Sequence, residues 1–153
     1  MRFEENMSNK DSLIDIVSST YVDTDLYLQD NERPIIAKAI LAGAWLEGLY
    51  IAVNLQTDSN QASVIWEKIG EQKPALSNLV KMLEDCKDAQ FDSLISDLNK
   101  LVNLFDNVQL NYETTIKSSE KSKLVETLKV DISEDLFKKI QAKTSSIRDS
   151  IVD

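Results

Sequence analysis

Residues 35–55 read IIAKAILAGAWLEGLYIAVNL, and only Lys38, Glu47 and Asn54 in that run are polar. A helix at the surface of a globular protein carries one apolar stripe, whereas a helix apolar on all sides is buried on all sides. The segment is therefore expected to be the central helix of a packed bundle. The expected fold is all-α: an antiparallel bundle of four long helices plus a shorter C-terminal one, in a single domain over residues 1–153. The segment is long enough to span a bilayer. Lys38 and Glu47 inside it, and the amphipathic helices around it, favour a core helix over a membrane span.

The pattern on either side agrees with a helical protein. Leu13, Ile16, Val17, Tyr21 and Leu28 keep helical spacing over about 9–30, with Asn9 or Asp11 as cap. Pro34 suits the first turn of the next helix, where a missing N–H costs nothing. Thr57–Asn60 reads as the stop of that helix and the cap of a third. The third segment, about 61–87, contains Pro74, yet its apolar phase continues from Ile69 to Leu76. One helix kinked at Gly70 and Pro74 is the expectation, with two short helices as the alternative. A fourth helix is expected over about 90–116, with Asp88 as cap and a stripe from Phe91 through Phe105, Val108 and Tyr112. Residues 117–123 read as a polar linker and 124–132 as an extended crossover. The last helix is expected over 134–152, capped by Ser133, with Leu136, Ile140, Ile147 and Ile151 facing inward.

Composition narrows the chemistry. With 153 residues the chain can bury a core without metals or disulfides. The net charge is −9, so phosphate backbones and anionic membrane surfaces are repelled and nucleic acid is not an expected partner. There is no histidine, which removes the commonest general base, the Ser-His and Cys-His systems and the Glu-x-x-His iron ligands of helical bundles. The one cysteine, Cys86, falls on an apolar stripe and reads as a small buried hydrophobe. No metal, cofactor or catalytic residue is expected.

Two features remain. Ala44, Gly48 and Ala52 form a flat strip, read as tight helix packing, with a cavity for an apolar ligand as the alternative. Glu47 shares a face with Asn54, with Gly43 one turn before and Tyr50 one turn after. The four form a polar notch. A carboxylate there needs a partner, a cation or a proton. The favoured reading is a structural hydrogen bond, and the functional alternative is a small-ligand site.

Three stretches carry a family resemblance: Asn9–Leu13; Ala42–Tyr50, with its Gly-x-Trp-x-Glu-x-Leu-Tyr helix; and Ile132–Leu136 with Ile147–Val152. Together they resemble helical lipoproteins of Bacteroidetes-type bacteria, over most of the chain. No known reaction is tied to these motifs, so no catalytic residue is implied. The resemblance implies a periplasmic or envelope location. The start of the chain lacks a signal peptide and a lipidation cysteine, which implies the soluble part of a longer precursor. The expected function is a non-enzymatic structural or protein-interaction module of the cell envelope, with an unknown protein partner. The alternative is a binding domain that uses the Glu47 notch.

Overall fold

The computed structural model describes residues 2–55, 59–117 and 123–152, with side chains described except at 2–3, 59–63, 112–117 and 123–128. The all-α class holds. In chain order the helices are α1 (Arg2–Glu5), α2 (Lys10–Asp30), α3 (Pro34–Asn54), α4 (Ser59–Gly70), α5 (Lys73–Glu84), α6 (Asp92–Phe105) and α7 (Glu134–Val152). A single 3-10 turn, Ala89–Phe91, precedes α6, and one hairpin, β1 (Gln109–Lys117) with β2 (Lys123–Asp131), precedes α7. Contacts divide the chain into two units, Met1–Gly43 and Ala44–Asp153, with the division inside α3.

In the first unit, the Asn9 side chain accepts a hydrogen bond from Ser12 N at 3.1 Å and so fixes the start of α2. The helix closes with Glu32 N bonded to Gln29 O and Arg33 N to Leu28 O. These are the two bonds of a Schellman ending. Its left-handed position holds Glu32, at φ 58°, where glycine is the usual occupant. Only Leu28 and Ala42 of this unit's described side chains are buried.

The second unit holds the core. Leu76, Leu79, Val80 and Leu83 of α5 meet Leu98, Leu101 and Phe105 of α6, and Ile140, Thr144 and Ile147 of α7 close over them. Thr144 is buried, and its hydroxyl donates to Ile140 O at 2.8 Å, so it brings no unpaired group inside. Ser133 caps α7 as expected, accepting from Leu136 N at 3.3 Å.

Several expectations are corrected. The third segment is two helices, not one kinked helix. The chain breaks at Glu71–Gln72, and Pro74 sits in the first turn of α5, where it is tolerated. The fourth helix stops at Phe105, not near residue 116. Lys73 Nζ bonds the carbonyls of Asp106 and Val108 at 3.3 and 3.4 Å, satisfying backbone just past the helix end. From Gln109 the chain is a strand, and 123–131 is its antiparallel partner, not a crossover, with Leu110 opposite Val130 and Tyr112 opposite Leu128. The supposed linker 117–123 supplies the strand ends Lys117 and Lys123, and its remainder lies outside the described residues, as do residues 57 and 58 of the expected 57–60 cap. Ile151 is 55% exposed rather than inward. Cys86 is partly exposed, its thiol donating to Met82 O at 3.2 Å.

The largest correction concerns α3. It is not buried on all sides. Ala42, Leu46, Leu49 and Val53 form one buried stripe, while Ile35, Ile36, Ile40, Leu41, Ile51 and Leu55 are exposed. Among the described residues it is the one helix long and apolar enough to cross a membrane.

Asp97 joins α6 to α7. Its Oδ1 accepts from Lys143 at 2.7 Å and Lys100 at 2.9 Å. The hydrogen bond from Lys143, then that from Lys100, holds its carboxyl below the ordinary range. A depressed carboxylate pKa adds stability that is complete above the unfolded value and is lost as pH falls through the folded one. Asp97→Asn should therefore be less stable than the parent at pH 7, and the gap should close in acid, as pH falls through the depressed folded-state value. Urea denaturation at pH 7 and in acid checks this. A gap that persists in acid contradicts it.

Candidate functional site

The end of α3 and the last turns of α7 meet through a short polar seam. Arg148 Nε donates to Glu47 Oε2 at 2.7 Å, and its guanidinium carbon lies 4.5 Å from the centre of the Tyr50 ring. Glu47 and Tyr50 are three residues apart on α3, so one side chain of α7 reaches both. Arg148 gains from an ion pair on one side and a ring face on the other. Its pKa is raised, first by the hydrogen bond to Glu47.

Two turns earlier on α7, Gln141 Nε2 donates to Val53 O at 2.8 Å and to Asn54 Oδ1 at 3.2 Å. Asn54 in turn donates to Tyr50 O at 2.9 Å. Val53 O is one of the last carbonyls of α3, which have no partner within the helix. Gln141 thus supplies a cap from 88 residues away.

Three of the four residues read as a notch, Glu47, Tyr50 and Asn54, are held in this seam. Gly43 makes no part of it, and a Cβ built there would meet nothing within 4 Å among the described residues. The notch already contains a cation, Arg148, which no local pattern in α3 could have announced. The arrangement can fix two helices together. It offers no nucleophile, no base and no vacant carboxylate.

Among the described residues the Ala44–Gly48–Ala52 strip is not closely packed, contrary to the favoured of its two readings. A Cβ on Gly48 would meet nothing within 4 Å among the described residues. The strip floors an open apolar groove of about 370 Å³, walled by Trp45, Leu49, Ile65 and Ile69. The Trp45 indole N–H is buried and lacks a hydrogen-bond partner among the described residues. In the first unit a second groove, about 290 Å³, runs between α2 and α3 past Tyr21, Leu26, Ile40 and Leu41. A polar depression of about 400 Å³ lies beside Asn107, Gln109 and Asp131. Its Lys139 is spent on Asp135 at 2.7 Å. Among the described residues no group of three His, Cys, Asp or Glu could hold a metal ion.

Comparison with protein-family models, with curated proteins and with solved structures finds no match for this chain.

Proposed function

We propose that this chain is a non-enzymatic module that binds another protein through exposed apolar helix surface. The observation that carries this is the outer side of α3. Ile40, Leu41, Ile51 and Leu55 are 41–56% exposed on a helix whose only charged side chains are Lys38 and Glu47. Single exposed apolar residues are ordinary, but neighbouring ones, Ile40 with Leu41 and Ile51 with Leu55, mark interaction surface. A membrane-spanning role for α3 is disfavoured by its second half. There Glu47 is ion-paired to α7 and the Val53 carbonyl is bonded to Gln141, both contacts with an amphipathic helix. The envelope setting is what the resemblance of the three sequence stretches implies, and fractionation of the native host tests it.

The test is affinity capture from native extract with the parent and with Ile51→Glu. Ile51 is 56% exposed, so the variant should fold and melt like the parent. The expected result is a partner that the parent retains and Ile51→Glu loses. Glu47→Gln separates the alternative. An interaction module keeps its partner, whereas a ligand domain loses a co-purifying small molecule. Loss of such a ligand with the protein partner unaffected would reverse the proposal.

A further inference from the structure

The groove over Ala44, Gly48 and Ala52 lies wholly within the second unit, between the later turns of α3 and α4 with Gln72 just beyond it. Its volume of about 370 Å³ falls within the roughly 300–1,000 Å³ usual for small-molecule sites. Ala44 and Ala52 stand one turn to either side of Gly48. The floor is therefore about 12 Å long and carries nothing larger than a methyl group.

The two ends of the groove differ. Four residues connect α3 to α4, and so short a connection sets two helices antiparallel. Leu55 and Ile65 therefore lie toward one end, and Trp45, Lys68 and Gln72 toward the other. Among the described residues, every polar side chain that lines the groove belongs to the second end. An apolar trough that becomes polar at one end matches a molecule with a chain and a head.

The polar end specifies the head. The Trp45 indole N–H is buried and has no acceptor among the described residues. A buried donor without an acceptor costs stability until something supplies one. The indole forms part of the groove wall, and its outer torsion is soft, so a guest's oxygen can meet the N–H. Gln72 Nε2 reaches Lys68 O at 3.4 Å, which leaves Gln72 Oε1 to accept from a hydroxyl. A head that accepts from Trp45 and donates to Gln72 is an alcohol.

Charge agrees with that choice. Lys68 is the one charged side chain lining the groove among the described residues, and Glu71 already holds it at 2.7 and 2.8 Å. A carboxylate head would compete with Glu71 for that cation, in a chain of net charge −9. An uncharged head avoids the repulsion and keeps both hydrogen bonds.

We infer that the groove binds an uncharged single-chain amphiphile. Its alkyl chain lies along Ala44–Ala52 toward Leu55, and its hydroxyl head sits between Trp45 and Gln72. The inference stands beside the protein-binding reading and does not depend on it.

Calorimetric titration of the whole chain with decanol is the test. One saturable site per chain is expected, with a change in Trp45 fluorescence in a Trp66→Phe background. Octanol, two methylenes shorter, should bind about tenfold more weakly. Ionised decanoate should also bind about tenfold more weakly than decanol. Gly48→Leu should abolish the site by filling its floor. The fold should survive, since a Cβ there meets nothing among the described residues. Ala52→Leu fills the floor one turn further on and should act alike. Trp45→Phe removes the N–H but keeps an apolar wall, and should weaken decanol about fivefold.

Absence of saturable binding up to the solubility limit of decanol overturns the inference. So does binding that persists in both floor variants, decanoate as tight as decanol, or a Trp45→Phe affinity equal to the parent's. Binding that is lost in folded Gly48→Leu or Ala52→Leu, and weakened in Trp45→Phe, supports it.

Discussion

Gly70→Val should abolish stable folding, and even Gly70→Ala should lower stability by about 1–3 kcal/mol. Alanine normally improves on glycine in a helix by roughly 1 kcal/mol, so the expected sign is the reverse of the usual one. The reason is β2. A Cβ at Gly70 would fall on Val130 Cγ1 and lie 3.2 Å from Val108 Cγ1 and 3.3 Å from Ile132 Cδ1. Val108 and Ile132 are buried and β-branched, with few rotamers into which to withdraw. The close approach is thus between a helix end and a strand, not a bend toward Pro74. Urea denaturation of Gly70→Ala, Val130→Ala and the double variant decides it. The double variant should recover part of the loss. Strict additivity would place the clash elsewhere.

Leu49→Ala should cost about 2–5 kcal/mol, while Ile51→Ala should change stability by less than about 0.5 kcal/mol in dilute solution. The two residues are neighbours on α3 and alike in size and apolarity. Leu49 is 4% exposed and Ile51 is 56% exposed. Truncating the first leaves a cavity in a dense core, and truncating the second leaves water where water already was. Melting curves at micromolar concentration measure both. Equal losses would mean that α3 is enclosed on both sides.

These two expectations mark where the sequence was readable. The starts of α2, α3 and α7 were legible because Asn9, Pro34 and Ser133 act on the backbone within three residues of themselves. The hairpin was not. Val108 and Tyr112 continue the helical spacing of Phe105, so a helical reading ran on into Gln109–Lys117. The period-two signal of Leu110, Tyr112, Thr114 and Ile116 was present but short. The face of α3 was illegible for a different reason. An all-apolar helix states what it would bury, not what is available to bury it. The seam at Glu47 was half legible: the need for a partner followed from one carboxylate, but the partner stands 101 residues away.

That separation along the chain has a consequence for biosynthesis. Gln141 and Arg148 fasten the end of α3, and both belong to α7, which leaves the ribosome well after α3. At ordinary elongation rates of about 5–20 residues per second, 88 residues correspond to roughly 4–18 s. Through that interval α3 is already translated, while the helix that ties its end does not yet exist. A nascent chain with so apolar a segment is a natural client for holding chaperones. Arrested chains ending before residue 141 should cross-link to such a chaperone through α3, and full-length chains should not.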